Sequence, residues 1–134
     1  MTDDQQDWYI EQIRKLRSEA DKLAEDSPGA LVEKIRLLTT AHMYMGRVSA
    51  RKDGDHAKVY VARKRAYVEV MRSAPKGNKS LAAEEAIIPL REIEAEALEQ
   101  KTIWRNELDS LKEKIYELRM RVRIDTHIGG GING

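Results

Sequence analysis

Apolar side chains along this chain recur every three or four residues, and no apolar pattern longer than six residues alternates. That period belongs to helices, so the pattern predicts an all-α fold with no sheet. A first helix is expected over about 5–25, where Tyr9, Ile13, Leu16, Ala20 and Leu23 follow 4-3-4-3 spacing. Ser27 and Pro28 mark the next start: serine can cap orphan amides, and proline at the first helical position lacks an N–H that has no partner there. The second helix, about 30–52, turns Leu31, Ile35, Leu38, Met45 and Val48 inward. Asp53-Gly54-Asp55 then reads as a turn, with Gly54 at a left-handed C-terminal position and Asp55 as the following cap. A helix running straight through Gly54 is the alternative, since one internal glycine costs only about 1 kcal/mol. The third helix, about 56–73, sets Val59, Ala62, Ala66 and Val70 on one stripe. After the basic loop Pro75-Lys76-Gly77-Asn78-Lys79, Ser80 is placed to cap a last helix over about 80–124. Pro89 predicts a kink or a fresh start near Ile88.

Within that last helix Trp104, Leu108, Leu111, Ile115, Leu118 and Val122 recur with 4-3-4-3-4 spacing, a coiled-coil-like seam. Leu90 and Ala97 extend it backward in phase, and Glu94 and Lys101 interrupt it. The seams of the first and last helices together exceed what one small core absorbs. The expectation is therefore an extended helical hairpin or bundle of about four helices, one domain over 1–128, assembling as a homo-oligomer. A Gly-rich tail, 129–134, is expected to be disordered.

Composition agrees with extended helices: 35% of residues are charged, phenylalanine is absent, and the aromatics are two Trp and five Tyr. With no cysteine there is no disulfide, thiolate metal site or Cys nucleophile, as a reducing cytosol allows. The longest uncharged internal run, Leu37 to Gly46, is ten residues, against about 20 needed to span a bilayer. The acidic start Met1-Thr2-Asp3-Asp4 lacks the order of a signal peptide, so a cytoplasmic protein is expected.

The net charge of +1 hides a strong sorting. From Arg47 to Lys79 ten Lys/Arg stand against three acids, and from Ser80 to Leu118 ten acids stand against five bases. Arg51, Lys58, Arg65 and Arg72 lie seven apart, which on a helix makes a cationic row with about 11 Å between members. Such a row can track a phosphate backbone, and Arg63 and Lys64 add to it. Tyr60 and Tyr67 lie beside it and can stack bases or pack as core. Alternatively the basic helix pairs with the acidic one, in the same chain or a neighbouring one. Arg119, Arg121 and Arg123 suit a helix C-terminus through its dipole and can also extend a phosphate-binding surface.

Other chemistry is not assembled. His42, His56 and His127 have no second ligand three or four residues on, so no metal is expected. The acids Glu84, Glu85, Glu92, Glu96 and Glu99 read as a solvated helix face. Gly129-Gly130-Gly131 precedes neither a helix nor Lys-Ser/Thr, so it is not a phosphate loop. No nucleophile–base pair can be built, so neither an enzyme nor a cofactor is expected.

The stretch Ala62-Arg63-Lys64-Arg65-Ala66-Tyr67, the polar loop, the acidic helix with Ile103-Trp104 followed by Leu108, Leu111 and Ile115, and the end Ile124-Asp125-Thr126-His127-Ile128 resemble the UvsY-type phage recombination mediators. The resemblance covers roughly the C-terminal 80 residues; the first helix has no counterpart in it, and the short Pro-containing connection before the last helix departs from it. It implies a small helical protein that forms a closed ring, binds single-stranded DNA and helps a recombinase load onto DNA covered by single-strand-binding protein. Its basic stretch carries over to Arg63, Lys64 and Arg65, with Arg51, Lys58 and Arg72 supporting by spacing alone. The competing reading is a non-enzymatic scaffold, adaptor or phage-particle component that oligomerises without touching DNA; a small inhibitor of a host enzyme is a third.

Overall fold

The computed structural model describes residues 1–124 in full and the backbone alone from Asp125 through Asn133. The expected Gly-rich tail, 129–134, lies outside the fully described residues. The chain is 89% helix with no strand among the described residues. Its elements are α1 (Asp3–Asp21), α2 (Pro28–Ser73), α3 (Lys79–Ala86) and α4 (Ile88–Asn133).

The first start is a reciprocal cap. Thr2 Oγ1 accepts from the Gln5 amide at 3.1 Å, and Gln5 Oε1 accepts from the Thr2 amide at 2.8 Å, satisfying two donors a helix start leaves over. Asp3 and Asp4 add negative charge in the first turn. Pro28 occupies the first position of α2, as its sequence placement predicts. The final start differs. Asn78, and not Ser80, holds the N-cap position of α3. Proline then restarts the chain: Ile87 ends α3, and Pro89 falls in the first turn of α4, where a missing N–H costs nothing.

One helix stands where two were expected. α2 runs through Asp53-Gly54-Asp55 without a break. Gly77 is the glycine with positive φ, at 123°, so Gly54 takes no left-handed conformation among the described residues. The turn signals lose because an internal glycine costs so little, and because Arg51 pairs with Asp55 one turn on, at 3.7 Å. A Cβ built on Gly54 meets nothing within 4 Å. Gly54→Ala is therefore expected to stabilise the chain by about 0.4–1 kcal/mol in urea unfolding, by removing freedom from the unfolded state. A loss of stability would mean that α2 breaks there.

The chain divides into two compact units, Met1–Ser49 with Arg105–Gly134, and Ala50–Trp104; α2 and α4 contribute residues to both. In the first, Ile13 and Ala20 of α1, Leu31, Leu37, Leu38, Ala41, Met45 and Val48 of α2, and Leu111, Ile115 and Leu118 of α4 form the core. The seam is thus buried at its middle and half-buried at Leu108 and Val122. In the second unit the buried apolar residues among those described are Ala83 and Ile87, and Trp104 is half-buried.

An ionic centre ties the first unit together. Lys34, only 7% exposed, sits in the core face of α2 with its Nζ 3.1 Å from a carboxylate oxygen of Glu25, in the α1–α2 connection. Glu25 also accepts from Arg121 at 2.6 Å and from Lys114 at 3.4 Å, both on α4. The Lys34 ammonium above all, then Lys114, hold the Glu25 carboxyl down at about 2 from 4.5, against the opposing effect of burial. A depressed folded-state value gives stability that is complete above about pH 4.5 and is lost as pH falls toward 2. The thermal midpoint is accordingly expected to fall with acidification across that window. Glu25→Gln should flatten the fall while lowering the midpoint at pH 7. A Glu25→Gln profile parallel to the wild type would contradict this.

Candidate nucleic-acid interface

The second unit carries the basic segment on residues 51–72 of α2, and the residues that looked alike in sequence part company there. Arg63 faces inward. Its guanidinium donates to Glu94 of α4, and both side chains are 19% exposed. Arg63, not Ala62, thus continues the stripe of Val59, Ala66 and Val70, while Ala62 is exposed. Glu94, the acidic interruption of the α4 seam, is its partner: two polar residues in seam phase on facing helices answer each other.

Arg51 is half-buried and engages Asp55 within its own helix. Lys58, Lys64, Arg65 and Arg72 are exposed and form no ion pair among the described residues. Pairing with the acidic helix therefore engages Arg63 and, among the described residues, leaves Lys58, Lys64, Arg65 and Arg72 without an ion pair. The four free ones share a face with the exposed Val61 and Val68; Lys58 and Arg65 flank Val61, and Lys64, Arg65 and Arg72 flank Val68.

The two tyrosines also separate. Tyr60 is 43% exposed, with the Arg63 guanidinium and the Lys64 ammonium each 5.3 Å from its ring centre. That is cation–π distance, and it leaves an aromatic edge at the margin of the basic face. Tyr67 is half-buried, which suits packing. No known family model, curated protein or solved structure matches this chain.

Sequence reasoning missed a second aromatic group, in the first unit. Trp8, Tyr9 and Tyr44 stand with ring centres 5.1 to 5.8 Å apart, and Arg47 lies 5.3 Å from the Tyr9 ring and donates to its hydroxyl. Offset and edge-on rings at this distance attract one another, so the cluster fastens α1 to α2. The available signal was the position of Trp8 beside the Tyr9 seam. Among the described residues no group of three His, Asp or Glu is placed to hold a metal, and no helix is long and apolar enough to cross a membrane.

Proposed function

We propose that this chain is a non-enzymatic single-stranded-DNA-binding accessory protein of recombination, one that helps a recombinase load onto DNA covered by single-strand-binding protein. The observation that carries the DNA reading is the outward face of Lys58, Lys64, Arg65 and Arg72, four cations without an ion-pair partner among the described residues, set around exposed apolar side chains. A helix face of this kind neutralises backbone phosphates without reading base edges, so binding is sequence-tolerant and steeply dependent on salt. Tyr60, at the edge of the face, supplies a ring on which a base can stack. The recombination role rests on the resemblance of residues 62–67 and 103–128 to UvsY-type mediators.

The first test is fluorescence anisotropy of a labelled single-stranded oligonucleotide across a salt series. A log–log slope steeper than about −2 is expected, for three or more phosphates at about 0.7 each. Binding that is absent at low salt would end the reading.

A second observation favours self-assembly, as a scaffold needs it and as the mediator reading also does. Leu81, Ile88, Ile93, Leu98 and Ile103 are exposed in the second unit, and Glu92, Glu96 and Glu99 are exposed without an ion-pair partner among the described residues. Unpartnered apolar surface interleaved with free carboxylates suits a neighbouring subunit's cationic face. Light scattering is expected to give a mass several times 15.4 kDa. A clean monomer at micromolar concentration would remove the oligomer.

A further inference from the structure

In the first unit α2 and α4 enclose a second basic hollow, of about 190 Å³, separate in sequence from the row on residues 51–72. Its walls are Thr39 and His42 of α2 and Lys112, Ile115, Tyr116 and Arg119 of α4. Lys112 and Arg119 are exposed and form no ion pair among the described residues, and no carboxylate lines the hollow. They stand seven residues apart, about 11 Å along the helix axis, so two long cationic side chains reach the hollow from its two ends. Ile115 is buried beneath it, and Tyr116 is 52% exposed at its rim.

The deciding feature is His42. Its Nε2 is closed off from solvent yet has no hydrogen-bond partner. Buried polar atoms are almost always paired, so an orphan ring nitrogen on a residue that lines the hollow together with two cations free of ion pairs leaves a place for a partner. An oxyanion suits that lining: it accepts from the Lys112 ammonium, the Arg119 guanidinium and the Thr39 hydroxyl, and a turn of the His42 ring toward the hollow would add its Nε2–H. Tetrahedral phosphate suits donors arriving from opposite sides better than planar carboxylate does. The ring of Tyr116 at the rim adds a stacking surface for a base attached to that phosphate.

We propose that Thr39, His42, Lys112 and Arg119 form a phosphate-binding site, and that its occupant is a backbone phosphate of a single-stranded nucleic acid. The strand as the source of the phosphate rests on the function proposed above; the site itself does not.

The test uses the full chain with 15N-labelled histidine. The His42 ring resonances are followed during separate titrations with inorganic phosphate and with oligothymidylate, and the anisotropy salt series is repeated for the Lys112→Ala/Arg119→Ala variant. Both side chains are exposed, so helicity by circular dichroism should be unchanged. Both ligands are expected to shift the His42 resonances, and the variant should lose about 0.7 unit of salt slope, one neutralised phosphate. No shift with either ligand overturns the site. Oligonucleotide binding by the wild type with an unchanged slope in the variant and a still His42 overturns the site while leaving the proposed function standing. A shift with inorganic phosphate in a wild type that binds no oligonucleotide supports the phosphate site, and it overturns both the strand as occupant and the proposed function.

Discussion

Shortening Leu118 to alanine is expected to destabilise the protein by about 3 kcal/mol and to lower its thermal midpoint by about 10 °C. Leu118 is fully buried, between Leu111 and Ile115 on one side and the half-buried Val122 on the other. Losing three heavy atoms there removes their burial and leaves a cavity that helix backbones cannot close. Val122→Ala, further along the same stripe, should cost less than half as much. Leu98→Ala, on an exposed position of the second unit, should fall within about 0.5 kcal/mol in the isolated subunit. A Leu98→Ala effect near that of Leu118→Ala, in chemical unfolding at several protein concentrations, would mean that another copy covers the position.

The second large effect concerns binding. Replacing Lys58, Lys64, Arg65 and Arg72 together by alanine is expected to reduce the slope of log affinity against log salt by about 3 units, four phosphates at about 0.7 each. Helicity should hold, since none of the four forms an ion pair among the described residues. Arg63 does not belong in that set. Arg63→Ala strands the Glu94 carboxylate in a half-buried site, so it should lower the thermal midpoint while moving the salt slope little. A quadruple variant with an unchanged slope would exclude this face as the DNA path. Loss of the oligomer with per-subunit affinity intact would assign the cations to a neighbouring acidic helix.

The legible part of the fold is the part that depends on nearest helical neighbours. Leu111, Ile115 and Leu118 could be placed in the core from spacing alone, because consecutive apolar positions on one face leave a helix no other way to bury them. The start at Pro28 and the restart at Pro89 were equally readable, since proline acts through its own missing donor. The break at Gly54 was misread because strong local turn residues were weighed without the stripe that continues past them from Lys52 to Val59.

Pairing across the fold was not legible at all. Lys34 looks like any surface lysine until Glu25 is brought against it. Arg63, Lys64 and Arg65 form one basic run in the sequence, and only the phase of α2 sends the first inward and the other two outward. The spacing of Lys112, Tyr116 and Arg119, one step out of register with the seam, was a readable signal for a second basic face. Its reading required His42, from another helix.

The second unit, whose described core is Ala83 and Ile87, has a consequence for hydrogen exchange. Amides that depend on so few buried apolar groups open locally at a lower free energy than those of residues 31–48 and 111–118. In the free protein the backbone of residues 50–73 should therefore exchange its hydrogens well before that of the first unit. A strand held by that face at about 100 times its Kd adds about 2.7 kcal/mol to the opening, a slowing of about 100-fold. The segment that takes the ligand would then be the segment that the ligand folds most firmly.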